Sequence, residues 1–303
     1  MDFIQNKKTK IFLGIVVLVI CFFYIGKFLY INWSKADFQN LKFNWLTFLI
    51  SYIFLVFAVL LSGVVWKMSL NFIGEKISFN QALRIIVLSS LPKYLPGKIW
   101  GAVGQVWLTK KEAGIPEEKG GTGVILNTAM DLLSGALLSI VILPIALKKE
   151  ISVNLYPLFA IIPVLFIILH PPIFIKIINW GIKKIKRREI EFVPSYIQLM
   201  RLLIFYIFFW ISQCIAVYFL ICSFYPISFL PLCGIIPASW VIGFISFVTP
   251  GGLGVREGVL SYFFNFYMPT SIGIITSIII RIWATVGELI IFAIFVKNIK
   301  KYL

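Results

Sequence analysis

Apolar residues run almost without interruption over 11–31, 44–65, 122–147, 155–179, 201–224 and 271–296. A bilayer-crossing helix needs roughly 20 such residues, and none of these runs shows the period-two alternation of a membrane-barrel strand. The run that starts at 11 continues through Phe28-Leu29-Tyr30-Ile31 with no small-x-small cleavage site after it, so it reads as a first span rather than a signal peptide. Two further apolar stretches, 80–108 and 231–267, are each broken in the middle. The first contains Leu91-Pro92-Lys93-Tyr94-Leu95-Pro96-Gly97-Lys98-Ile99-Trp100-Gly101; the second contains Val248-Thr249-Pro250-Gly251-Gly252-Leu253-Gly254-Val255-Arg256-Glu257-Gly258. Proline removes a backbone donor and glycine loosens a helix, which lipid does not tolerate unless the freed groups line a cavity or are enclosed by protein. The pattern therefore predicts an all-α, polytopic helical membrane protein. It has about six full spans plus two re-entrant hairpins broken at Pro96-Gly97 and Pro250-Gly251-Gly252, or eight spans.

Composition agrees with that reading. Of 303 residues, 60% are hydrophobic and 13% charged, about half the charged share of a soluble domain, and the mean hydropathy is +0.97. A net charge of +16 raises the question of nucleic acid. The bases cluster instead in short loops between spans, where they set topology and meet anionic lipid heads, so nucleic acid is excluded as a partner. Lys7, Lys8 and Lys10, then Lys67, Lys76 and Arg84 of a 66–84 loop, the basic 181–191 loop, and Lys297, Lys300 and Lys301 fall on one side. The positive-inside rule places both termini in the cytoplasm of a multi-pass inner-membrane protein. The first hairpin then enters from the cytoplasm and the second from outside.

Pro250 follows Pro96 by 154 residues, and each half reads as span, span, broken hairpin, span. An odd number of full spans per half inverts the second half, so residues 1–150 and 151–303 form inverted pseudo-repeats within one membrane domain. Broken helices in corresponding positions of two halves point to a transporter's central site.

Charges at membrane depth are functional candidates. Lys93 and Lys98 flank the first break, Arg256 and Glu257 follow the second, and Arg281 and Glu288 share a face of the last span. Asp131 lies in the corresponding span of the first half. Bases beside the freed N–H groups of a broken helix suit a phosphate, so Lys93, Lys98, Arg256 and Arg281 are assigned to substrate binding. Asp131, Glu257 and Glu288 balance their charge or relay protons. Ion pairing of Arg281 with Glu288, or Arg256 with Glu257, is the structural alternative. Gly97, Gly101 and Gly104, like Gly251, Gly254 and Gly258, sit at spacings that allow close helix approach. Trp33, Trp45 and Trp66 read as interface anchors. Cys21, Cys214, Cys222 and Cys233 read as buried inert thiols, and His170 before Pro171-Pro172 as a capping residue. One histidine and no nucleotide, dinucleotide or metal motif lead us to expect no cofactor and no metal.

Lys93-Tyr94-Leu95-Pro96-Gly97-Lys98-Ile99-Trp100, together with Thr249-Pro250-Gly251-Gly252-Leu253-Gly254-Val255-Arg256-Glu257-Gly258, resembles the lysylphosphatidylglycerol synthase transmembrane-region family, also called flippase-like. The resemblance covers essentially the whole chain. It implies a domain that moves aminoacylated phospholipid between leaflets in members fused to a soluble aminoacyl-transfer domain. Here the sequence stops at Leu303 just after the last span, so synthase activity is not expected. The function expected is a lipid translocase for an anionic phospholipid or a polyprenyl-phosphate-linked glycan, with glycan-assembly enzymes as candidate partners and homo-oligomers left open. The alternative is a membrane-embedded enzyme subunit or scaffold in lipid-linked glycan or aminoacyl-lipid synthesis.

Overall fold

Lipid offers a backbone no hydrogen-bond partner, so the apolar runs must become helices. The computed structural model describes residues 42–90, 100–148, 154–184, 193–246 and 254–296, with Lys27 and Gly252 besides. Among these residues it contains ten α-helices and no strand. They are α1 (Trp45–Phe72), α2 (Phe79–Ser90), α3 (Trp100–Ala113) and α4 (Glu117–Ala146), then, after a 3-10 turn at Tyr156–Ala160, α5 (Ile161–Ile168) and α6 (Pro171–Lys184), followed by α7 (Tyr196–Cys222), α8 (Phe229–Ile245), α9 (Val255–Phe264) and α10 (Thr270–Val296). Four of them, α1, α4, α7 and α10, are long and apolar enough to cross a bilayer. Local signals set their starts: Asn44 Oδ1 accepts the N–H groups of Leu46 and Thr47 at 3.0 and 3.3 Å, and Ser195 forms a capping box with Gln198. Leu46, Leu49, Ile53 and Phe57 of α1 are exposed, as a lipid-facing side requires.

The long helices frame two short hairpins, α2–α3 and α8–α9. Helix lengths and order over α1–α4 recur over α7–α10. The packing recurs too: α1 and α7 share the most extensive contact, α4 packs on α8 as α10 packs on α2, and α4 packs on α7 as α10 packs on α1. Relative direction follows from named contacts. The α1 and α7 helices run antiparallel, with Asn44 N–H donating to Ser223 O at 2.7 Å and Ser212 Oγ to Phe54 O at 3.1 Å. Because α2 turns back from the C-terminal end of α1, and α8 turns back from the C-terminal end of α7, the two hairpins enter from opposite ends of the bundle.

The last described residues of α2 and of α8 lie at the same depth. Gly63 of α1 faces Leu83 of α2, where a Cβ would lie 3.1 Å from Leu83 Cδ1; α2 ends two helical turns further on, level with Val56. On the other side, Gly135 of α4 faces Val241 of α8 and Gly234 of α8 faces Leu143 of α4, so the end of α8 lies level with Asp131. Trp210 Nε1 donates to Asp131 O at 3.4 Å, and Trp210 sits half a turn from Ser212, which bonds Phe54. Phe54 and Val56 are near the middle of α1.

The structure corrects several sequence expectations. The run 155–179 is not one straight span: its helices bend by 92° between Ile168 and Pro171, where a proline pair cannot continue the ladder. At that bend the carbonyl of His170 accepts the Phe174 N–H at 2.8 Å. The proposed 66–84 loop is mostly helical, and Arg84 lies inside α2 with Glu112 at 3.5 Å. Trp66 is no interface anchor but fully buried, seated on Gly123; Trp45 is exposed. Close approach is carried by Gly63, Gly123, Gly135, Gly234 and Gly243, whereas Gly258 has open space beside it. Cys214, Cys222 and Cys233 are free thiols, the first and last buried. The expected span 11–31, with Cys21 and Trp33, lies outside the described residues.

Gly135 joins three helices, since a Cβ there would meet Val241 Cγ2 at 3.1 Å and Trp210 Cε2 at 3.2 Å. We expect Gly135→Val to overpack this junction and to cost about 1–3 kcal/mol, read as a lower melting temperature in detergent than that of Ala136→Val on the same helix.

Candidate functional site

The second break is built from glycine and charge. Gly252 is buried at φ +71° with Gly243 O where a Cβ would come to 2.9 Å, so only glycine lets the returning chain cross α8 this closely. On the same face of α8, a Cβ on Gly243 would lie 3.3 Å from Arg256 Cβ; the first turn of α9 is thereby pressed against α8. Gly254, at φ +83°, is the N-cap of α9. Its N–H donates to Glu257 Oε2 at 2.7 Å, the reciprocal half of a capping box.

The other oxygen of Glu257 reaches across to α10, where Arg281 Nη1 donates to Oε1 at 3.0 Å. Both side chains are largely withdrawn from the surface, at 8% and 17% exposure. Glu257 thus binds a helix N-terminus and a guanidinium together, the two groups that recognise anions. One turn along the same helix pair, the hydroxyls of Ser261 and Ser277 are 3.0 Å apart, and Thr285 Oγ1 donates to Arg281 O at 2.9 Å. Because Trp283 Nε1 donates to Ser51 Oγ at 3.1 Å, the ion pair lies between mid-depth and the end from which the second hairpin enters.

Two acids mark the breaks themselves. Gly287 is set against Leu55 and Tyr52 of α1, which places Glu288 level with Val56 and hence with the end of α2. Asp131 is level with the end of α8. The described ends of α2 and α8 therefore each have a carboxylate level with them, supplied by the long helix of the opposite set. The two acids differ in their surroundings. Asp131 Oδ1 is buried and has no hydrogen-bond partner among the described residues, and Asn127 Oδ1, one turn before it on α4, is in the same condition.

Of the residues proposed from sequence, the structure brings Glu257 and Arg281 together and sets Arg256 beside them on α9. Arg281 pairs with Glu257 between α9 and α10, because a turn at residues 265–269 folds the two helices side by side. Asp131 lies apart, since Val241, which faces α4, and Gly243, which faces Arg256, are on opposite sides of α8. Lys93, Lys98, Pro96, Gly97, Pro250 and Gly251 lie outside the described residues. Sequence reading missed two features: the Arg84–Glu112 pair, because Arg84 had been counted as a loop base, and Asn127, whose only signal was its spacing of four from Asp131.

A bundle of long apolar helices framing two short helix pairs defines a class: polytopic helical membrane proteins. Residues 11–291 match the family model of the lysylphosphatidylglycerol synthase TM region, and the chain belongs to that family. It is thus a membrane protein of a family concerned with lipid or glycolipid handling. Comparison with curated proteins finds no match.

Removing one member of a buried ion pair leaves the other uncompensated and costs about 3–5 kcal/mol, whereas removing both costs much less. Glu257→Gln and Arg281→Met should each lower the melting temperature, and the double variant should recover most of the loss. Additive losses in a double-mutant cycle would show that the two groups do not act as a pair.

Proposed function

We propose that this protein is a lipid translocase that moves an anionic lipid, either a phospholipid or a polyprenyl-phosphate-linked glycan, across the cytoplasmic membrane. The observation that carries this reading is that two short helix pairs enter the bundle from opposite ends, with the Glu257–Arg281 pair withdrawn from the surface at the start of α9. Such an arrangement offers a head group a polar way-station in the bilayer while its tails remain in lipid. A permanent charge at that depth costs several kcal/mol unless it has work or a partner there.

In this reading residues 1–150 and 151–303 are inverted pseudo-repeats, with both termini cytoplasmic, and the repeated order of α1–α4 and α7–α10 supports it. Lys93, Lys98, Arg256 and Arg281 bind the phosphate. Glu257 holds Arg281 and the N-terminus of α9 when the site is empty, so an arriving phosphate replaces one anion with another and no bare charge is exposed. Asp131 and Glu288 balance charge at the two breaks. Gly252, with Pro96, Gly97, Pro250 and Gly251, provides the hinges about which one half rocks against the other, opening the site to each leaflet in turn. Glycan-assembly enzymes that make or consume the lipid are the partners this role implies.

Reconstitution with a head-group-labelled anionic lipid tests the reading. Leaflet exchange should be protein-dependent, should slow at least about tenfold in Arg256→Ala, a loss of about 1.4 kcal/mol or more in transition-state stabilisation, and should fall further in Arg281→Ala. Rates indifferent to both substitutions would sink the site assignment. A lipid product of changed mass would instead favour an enzyme subunit.

A further inference from the structure

Asp131 is the acid whose surroundings the phosphate reading leaves unexplained. Its Oδ1 and the Oδ1 of Asn127 are two acceptor oxygens one helical turn apart on α4, both sealed from solvent and both without a donor among the described residues. Buried acceptors are almost always satisfied, and a carboxylate more so than an amide. The described neighbours supply no positive charge. Facing this stretch, α7 presents Trp210, whose indole N–H serves the Asp131 carbonyl at 3.4 Å and also the Asp131 side chain, leaving only Oδ1 unmet, and Tyr206, whose hydroxyl donates to Asn127 O at 2.9 Å. Across α8 there is no Lys, Arg, His, Asp or Glu from Phe229 to Ile245, and α1 has none from Trp45 to Trp66. Gln105 of α3, whose Nε2 is buried without a partner, is the polar group nearest in register from that helix; Lys110, Lys111 and Glu112 lie at its far end. Arg256 packs on the other side of α8, against Gly243.

The end of α8 adds to the negative potential. A helix C-terminus carries about half a negative charge on its last carbonyls, and α8 ends level with Asp131. A carboxylate, an amide oxygen and a helix carbonyl end at one depth form an oxygen-rich cluster with no positive charge among the described residues. Broken-helix C-termini in transporters receive their coupling cations in this way.

We propose that Asp131 and Asn127, together with the carbonyl end of α8, bind one positive charge drawn from water, as a sodium ion or a proton. Its arrival neutralises the second break and permits the α8–α9 hairpin to shift relative to α4. The coupling to movement rests on the translocase reading; the binding site does not.

The test uses the full chain purified in detergent, with radioactive sodium as one probe and the infrared band of a protonated carboxyl as the other. Saturable sodium binding that is lost in Asp131→Asn and weakened in Asn127→Ala assigns the site to sodium. A carboxyl band that titrates with pH and is missing from Asp131→Asn, without sodium binding, assigns it to a proton. Neither signal in the wild type, or either one unchanged in both variants, overturns the site. The same proteins in liposomes then separate the two claims. Flipping driven by the matching gradient in wild type but not in Asp131→Asn supports site and coupling together. Cation binding with no flipping contradicts the translocase reading and leaves the site standing, whereas flipping indifferent to every gradient overturns the coupling.

Discussion

Backbone hydrogen bonding in lipid is the constraint on which this structure depends. A membrane segment that stops being helical exposes donors and acceptors that hydrocarbon cannot satisfy. Two pairs of short helices here, α2–α3 and α8–α9, are walled in by long helices. Enclosure explains why α8 is buried along most of its length although it is too short to span a bilayer. It also explains the close glycine contacts: the side chains of Val241 and Leu143 lie directly on the backbone at Gly135 and Gly234, which brings α4 close onto α8. Packing in lipid gains little from the hydrophobic effect and so relies on such intimate surfaces.

Charge follows from the same constraint. A helix that begins within the membrane presents unbonded N–H groups, and at α9 these are met by the Glu257 carboxylate, which in turn meets Arg281. One side chain thus satisfies a helix end and a buried guanidinium at once. The cost of holding such groups in a poorly polar place is high, and buried ion pairs rarely stabilise a fold outright. Retaining them is easier to understand if the anion position is exchangeable, which is the basis of the proposed lipid site. Asp131 shows the converse, a carboxylate near a helix C-terminus with no basic partner among the described residues.

Much of the architecture was legible in the chain. Continuous apolar runs located α1, α4, α7 and α10, with ends off by up to two turns where polar residues continue the helix, because a span must be about 20 residues long and apolar throughout. The two interrupted apolar stretches located both short helix pairs, while the Pro-Gly turns themselves lie outside the described residues. Partners were less legible. The Glu257–Arg281 pair joins residues on two helices, and spacing within one helix suggested Glu288 instead. Arg84 looked like a loop base because its neighbours Asn80 and Gln81 are polar, yet α2 is amphipathic and turns that side toward Glu112 on α3. The bend after Ile168 was hidden by the apolarity of residues on both sides, even with Pro171-Pro172 in view. Trp66 depends on Gly123, 57 positions away, for the space it occupies, and no local pattern carries such information.

The central claim is that two hairpins from opposite ends of the bundle stop at one depth around a water-reachable site. Spin labels at Ser90 and Ser246, in a background lacking the four native cysteines, measure this directly by power saturation with oxygen and with a water-soluble nickel chelate. The account predicts equal depth near the bilayer centre for both labels, each relaxed by the nickel chelate more than a lipid-facing label at Phe57 of the same depth. Labels at clearly different depths, or both as shielded from nickel as Phe57, would contradict it.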